Sequence, residues 1–316
     1  MSNLEAAPAE LECRGGAPAR EAGVLEARDV PLGGPRAMRV RRTLPQRKRS
    51  LIGAWCFADH YGPDNVTTGA RMDVGPHPHT GLQTVSWLFA GEVEHRDSLG
   101  THARVRPGEL NLMTSGHGIC HSEVSTPATT VLHGVQLWVA LPDAHRDAAP
   151  AWQFESALPV HRERHATVTV LLGELAGAVS PGTTYSPLIG ADVDLSGELV
   201  LPLEPDFEHA VLVMAGSATA DGTELTPGTM LYLGCSRREL RMTSDRARLM
   251  LLGGEPFAEQ IVMWWNFVAR SNEEIVAARH EWMSGAAFGD VAGYDGYRLP
   301  APPLPPGRLR PGGAVR

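Results

Sequence analysis

Short runs of β-branched and aromatic residues, each closed by Gly, Pro or Asp, recur along the middle of this chain. Thr84 to Phe89, Val131 to Leu141, Thr167 to Leu172 and Ala210 to Met214 are of this kind. Such runs read as strands, and turn signals roughly every 8–12 residues point to a sandwich or barrel. A weak repeat sharpens the picture. Val85-Ser86-Trp87-Leu88-Phe89-Ala90-Gly91 is followed at a distance by Arg106-Pro107-Gly108, and Val211-Leu212-Val213-Met214-Ala215-Gly216 by Thr226-Pro227-Gly228. A strand ending in Gly, then a Pro-Gly turn opening the next strand, occurs once in each half, which predicts two similar β-units in tandem. One helix is predicted. Ser271-Asn272-Glu273-Glu274 has the S-x-x-E form of a capping box, and Ile275, Val276, Ala278 and Trp282 supply an apolar stripe after it.

The ends differ from this middle. Residues 1–35 are rich in Ala, Glu and Gly and show little periodicity, so they read as a flexible extension, with part of the segment available to pair as a strand. From residue 300 onward six prolines fall within twelve residues, which reads as a tail. Between them the expected units are a first barrel over 36–146, a second over 147–270, and a helix with its packing segment over 271–299.

Composition narrows the function classes. The chain has 316 residues, ordinary apolar and charged fractions of 43% and 20%, and a formal net charge of −8. A negative summed field argues against general affinity for nucleic acid, and no apolar stretch approaches the length of a spanning helix. No secretory leader is visible, and Cys13, Cys56, Cys120 and Cys235 lie far apart with no C-x-x-C pair. Free thiols and a cytoplasmic location are the expectation.

The chemistry is in the histidines. Nine of the thirteen lie between His60 and His145. Among them His77-Pro78-His79 and His121-Ser122-Glu123 are i, i+2 pairs, and residues two apart on a strand share a face. Two neighbouring strands would aim three imidazoles and one carboxylate at one point, a donor set suited to a divalent transition ion. Neutral nitrogens and one carboxylate leave a divalent ion a formal +1, which favours an anionic or easily deprotonated oxygen ligand. Since the imidazoles must be neutral to donate, binding is expected to weaken as pH falls through the range near 6.5. Pro78 cannot donate to a ladder, so its strand should be an edge. His60, His95, His102, His133 and His145 read as structural histidines, and Cys120, next to His121, should face away from the ligands.

At these residues the sequence resembles the pirin family of the cupin superfamily. Arg41-Arg42-Thr43-Leu44-Pro45 and Phe57-Ala58-Asp59-His60-Tyr61-Gly62-Pro63 are similar to its opening. His77-Pro78-His79-Thr80-Gly81, Glu94-His95-Arg96-Asp97-Ser98-Leu99-Gly100 and Met113 to Glu123 are similar to its signature, and Glu255-Pro256 and Trp264-Trp265-Asn266-Phe267 to the segment before its terminal helix. The resemblance implies an all-β bicupin, two tandem antiparallel jelly-roll barrels with a C-terminal helix and metal only in the first. It implies ligation by His77, His79, His121 and Glu123, the four that spacing also selects. The implied metal is iron(II), with manganese, nickel, copper or zinc accepted. The general cupin motif has Glu where this chain has Gln83, which should alter the surroundings of the ligands more than their number. The second barrel lacks H-x-H; His209 stands alone there and reads as structural.

Two function classes follow from the resemblance. In the first, the protein is a monomeric dioxygenase similar to quercetin 2,3-dioxygenases, acting on a flavonol or another enolisable or phenolic small molecule with dioxygen. Glu123 then serves as catalytic base, and Trp55, Phe57 and Met113 are candidates to line the slot. In the second, it is an iron-dependent redox regulator that binds a transcription factor or metabolic enzyme. Arg36, Arg39, Arg41, Arg42, Arg47, Lys48 and Arg49 would be its candidate partner surface, against the simpler reading of basic residues on a solvated strand.

Overall fold

The computed structural model describes residues 11–13, 22–32, 38–68, 71–285 and 287–307. The predicted strands are present, each within a residue or two of its expected limits: Leu82–Ala90, Val131–Ala140, Ala166–Leu172 and Glu208–Gly216. Among the described residues every strand pair is antiparallel apart from two isolated parallel bridges.

The first barrel is built from two sheets. Seven strands run in the order Ala151–Glu155, Leu110–Thr114, Leu82–Ala90, Val131–Ala140, Trp55–Asn65, Met38–Leu44, Arg28–Leu32. Facing them are four strands in the order Asp73–His79, Ile119–Ser125, Val93–Asp97, His102–Val105. The Asp73–His79 strand is an edge, as its Pro78 requires. The second barrel is a nine-stranded sheet dominated by two long strands, Leu188–Pro202 and Glu239–Gly254, paired along their length.

Period-two alternation decides what each barrel wall faces. Along Leu82–Ala90, Val85 and Trp87 enter the core shared with the second barrel, and the Trp87 indole donates to Asp192 at 2.9 Å. Ser86 and Leu88, on the opposite face, turn into the first barrel. The shared core draws on both barrels: Val135 and Leu137 from the first join Leu212, Met250 and Leu252 from the second in one buried cluster. Burying each aliphatic side chain of this kind contributes about 1.5–3 kcal/mol.

Strand pairing crosses the unit limits expected above. Gly23–Glu26 pairs with Thr229–Gly234 of the second barrel, and Arg28–Leu32 pairs with Met38–Leu44 of the first, so these described parts of the 1–35 segment are strand, not tail. Ala151–Glu155, beyond residue 146, completes the first barrel's sheet. Ile261–Trp264 and Phe267–Ala269 form a small sheet with Leu11–Cys13, and the Val268 amide donates to the Thr80 carbonyl beside the histidine pair. The described part of the Pro-rich segment also docks: Arg279 donates to the Pro302 carbonyl and Ala301 is buried. Residues 308–316 lie outside the described residues.

The helix is Asn272–Ser284, with Ser271 as N-cap accepting from the Glu274 amide. The capping box is only half made, because the Glu274 carboxylate takes the Arg270 amide and Arg146 instead. Ile275 and Trp282 face inward, whereas Val276, expected on the apolar stripe, is exposed. Among the described residues no helix is long and apolar enough to cross a membrane.

Candidate metal centre

Three adjacent strands of the four-stranded sheet each present an i, i+2 pair to the barrel interior. His77 and His79 come from Asp73–His79, His121 and Glu123 from Ile119–Ser125, and His95 and Asp97 from Val93–Asp97. Register places His77 opposite His121, His121 opposite Asp97, and Glu123 opposite His95. A bulge between His121 and Glu123 shifts the pairing with the edge strand. All six side chains are buried.

The donor atoms converge. One ring nitrogen from each of His77, His79 and His121 lies within 4.8 Å of the others, and His95, His121 and Glu123 form a second such group that shares His121. The ring centroids of His77 and His121 are 4.3 Å apart, and those of His79 and His121 are 5.0 Å apart. Two backbone carbonyls orient the first pair. His77 Nδ1 is 2.9 Å from the Gly75 oxygen and His79 Nδ1 is 3.2 Å from the Asn266 oxygen. A carbonyl can only accept, so both rings carry their proton on Nδ1 and turn an Nε2 lone pair inward. His77 Nε2 is buried with no hydrogen-bond partner, and His79 Nε2 lies 3.1 Å from His121 Nε2. Converging lone pairs of this kind suit a cation, and the residues present fit a divalent ion.

Burial keeps all three imidazoles neutral. His77, His79 and His121 are held well below the usual imidazole range by desolvation first, and His77 and His121 also by the neighbouring rings. The expected weakening of metal binding near pH 6.5 therefore moves to lower pH. Glu123 is buried as well, and that burial works against its charge. Asp97 is also buried, but hydrogen bonds from His95 and Thr101 outweigh that penalty and hold its carboxyl below the ordinary range.

Around the candidate ligands lie polar groups with capacity to spare. The Ser86 hydroxyl is 3.3 Å from Glu123 Oε1 and 2.9 Å from Gln136 Oε1, while Gln136 Nε2 is buried with no partner. Trp138 packs edge-on to His79, ring centroids 5.1 Å apart, and its indole nitrogen also lacks a partner.

Several expectations change. Trp55 does not line this site: its indole donates to the Ile189 and Gly253 carbonyls of the second barrel. Phe57 stacks on Trp138 at 3.9 Å, and Trp138 is the ring that reaches the histidines. Met113 is buried opposite Thr84. Gln83 donates to Thr114 and the Thr183 carbonyl. His95 is no isolated structural histidine. Its signal was available, since His95-Arg96-Asp97 repeats the i, i+2 spacing of the other two pairs. Cys120 packs with Trp264 and Phe288, away from the ligands, as alternation requires. The basic run is partly spent inside the fold: Arg42 forms a buried bidentate pair with Asp59, Arg41 reaches the Gly62 carbonyl and Arg49 pairs with Glu208. Arg47 and Lys48 are exposed, and Arg36 lies outside the described residues.

Two tandem antiparallel barrels, with grouped imidazole and carboxylate donors only in the first among the described residues, define a bicupin with a candidate metal centre. The Pirin family model matches residues 37–139, and the model described as the Pirin C-terminal cupin domain matches residues 190–289. The chain belongs to the pirin family. It is 44% identical over 312 residues to a Pseudomonas aeruginosa protein whose name gives it provisionally as a quercetin 2,3-dioxygenase, covering 96% of this chain and 98% of that one. A Caulobacter vibrioides pirin-like protein is 34% identical, over 83% of this chain and 93% of that one. Among solved structures, a quercetin 2,3-dioxygenase from Acinetobacter baumannii is similar with a TM-score of 0.86 at 39% identity, covering 92% of this chain and 98% of that one.

Proposed function

We propose that the protein is a mononuclear metal dioxygenase, with iron(II) held by His77, His79, His121 and Glu123, acting on a flavonol or a related enolisable or phenolic small molecule. The observation that carries this reading is the inward Nε2 lone pairs of His77 and His79, fixed by the Gly75 and Asn266 carbonyls and joined by the buried Glu123 carboxylate. The names of the Pseudomonas and Acinetobacter relatives support the same class of substrate. When bound, the ion supplies Lewis acidity toward an anionic substrate oxygen and redox chemistry toward dioxygen.

The remaining work falls to the chain. Glu123 accepts the hydroxyl proton of the entering substrate at a carboxylate oxygen, with the Ser86 hydroxyl 3.3 Å from that carboxylate. Gln136 Nε2 and Trp138 Nε1, buried donors without a partner, hold acceptor oxygens of the substrate. An oxygen-rich planar molecule satisfies both, whereas an aliphatic one leaves them buried and unpaired, at a cost of about 1–3 kcal/mol each.

The test is metal analysis of protein purified without a His-tag and reconstituted with iron(II), followed by oxygen uptake with a panel of flavonols under iron, manganese, nickel and copper. About one equivalent of metal and uptake with at least one flavonol are expected. Less than about a tenth of an equivalent after reconstitution overturns the centre. Replacing Glu123 with Gln should lower turnover by about 10²–10⁴-fold in the metal-loaded protein, and undiminished turnover would remove it as the base.

A further inference from the structure

Resting on that metal-centre reading, we propose that Asp97 and His95 form a positioning relay that fixes the tautomer of His121 and so aims its Nε2 lone pair at the centre. The direction of each hydrogen bond follows from what each atom can do. His95 Nε2 lies 3.1 Å from Asp97 Oδ2, and a carboxylate oxygen accepts, so His95 carries its proton on Nε2. Its Nδ1 is then a lone pair, 3.3 Å from His121 Nδ1, and can only accept there. Donation from His121 Nδ1 answers it and leaves Nε2 as the ligand atom, whose lone pair then meets that of His79 Nε2 at 3.1 Å, a contact that a bound cation relieves. His77 and His79 obtain the same orientation from carbonyls. Among the described residues no carbonyl serves His121; its partner on that side is a second imidazole.

The relay is held rigidly at its far end. Asp97 Oδ1 accepts from the Leu99 amide at 2.9 Å and the Thr101 amide at 3.0 Å, which leaves Oδ2 for His95. Trp152 stacks on the His95 ring, centroids 4.0 Å apart and planes 27° apart, and stops it from rotating. Trp152 comes from the Ala151–Glu155 strand, so the strand beyond the expected barrel limit supports the centre.

This arrangement makes an unusual demand on Asp97. In Asp97→Asn the amide oxygen stays on the Leu99 and Thr101 amides, which need an acceptor, and the NH2 group faces His95. His95 must then accept at Nε2 and donate from Nδ1, and His121 is driven to hold its proton on Nε2, facing the centre. In His95→Gln the direction survives, because the amide oxygen can accept from His121 while the NH2 group donates to Asp97.

The experiment reads ring-nitrogen protonation by 15N NMR in metal-free, 15N-histidine-labelled protein, together with nickel(II) affinity and the thermal midpoint. The parent protein should show His121 protonated on Nδ1 and His95 on Nε2. Asp97→Asn should reverse both and weaken nickel binding by about 10–100-fold, with the thermal midpoint little changed. His95→Gln should bind nickel within a few-fold of the parent. His121 protonated on Nε2 in the parent, or an Asp97→Asn variant with unchanged tautomers and affinity, would overturn the relay. So would His95→Gln losing as much nickel affinity as His79→Ala, which would make His95 a ligand itself. If the parent shows the expected tautomers but binds no metal, the relay stands and the dioxygenase reading falls.

Discussion

The two barrels share a scaffold but differ in what fills them. In the first, the inward face of three neighbouring strands carries four imidazoles and two carboxylates. In the second, the interior is aliphatic: Val168, Ile189, Val193, Val211, Val213, Leu231, Leu249 and Leu251 pack into one buried cluster. The repeat seen in the sequence, Val85 to Gly91 against Val211 to Gly216, sets both walls, yet only one wall encloses chemistry. A β-barrel of this size tolerates either filling because alternation separates the face that builds the wall from the face that fills the lumen. The second barrel contributes stability, the shared core and one strand's worth of docking for Gly23–Glu26; the first carries the site.

Four experiments would break or sharpen that contrast. The largest effect is expected from His79→Ala, which should cut bound iron from about one equivalent to below a tenth, while His209→Ala in the second barrel leaves it unchanged. Comparable metal loss from both would mean the barrels do not divide the work. Next, Leu251→Ala should destabilise the protein by about 2–5 kcal/mol in denaturant unfolding, with metal content per folded molecule retained. A smaller effect, about 10-fold on kcat/KM, is expected of Gln136→Leu assayed by oxygen uptake, since it deletes one buried donor to the substrate and leaves the four ligands in place. Unaltered kinetics would take Gln136 out of the substrate site.

The smallest effect concerns acid. Burial pushes His209 down to about 4, and burial with Arg41 pushes His133 down to about 4 as well. Each binds fewer protons folded than unfolded between about pH 6.5 and 4, so its contribution to stability is full above 6.5 and is lost as pH falls through that window. The thermal midpoint of the metal-free protein should drop over the same range. His209→Gln, which cannot be protonated, should shallow that drop slightly. The first barrel, with three candidate ligand imidazoles also held low, should keep the larger share. An identical slope in the His209 variant would remove the second barrel from the acid response.

Much of the site was legible in the chain alone, for a local reason. His77 and His79, like His121 and Glu123, share a face because a strand repeats every two residues, and no distant contact is needed to know it. Pro78 likewise announced an edge strand, and Cys120 an outward side chain. His95 and Asp97 carried the same spacing but looked ordinary, because their meaning depends on Val93–Asp97 lying next to Ile119–Ser125 in one particular register. Trp55 was misplaced for the complementary reason: a buried aromatic on a wall strand can face either barrel, and only the neighbouring Ile189 and Gly253 carbonyls decide which.

The sequence by itself thus determined the all-β class, the doubling of the barrel and four ligand candidates, since these rest on short-range periodicity and on side-chain chemistry. Tertiary structure alone decided which nitrogen of each ring faces inward. That choice is made by partners remote in the chain, Asn266 for His79 and the His95–Asp97 pair for His121, and hydrogen-bond direction exists only once those groups are brought within about 3 Å.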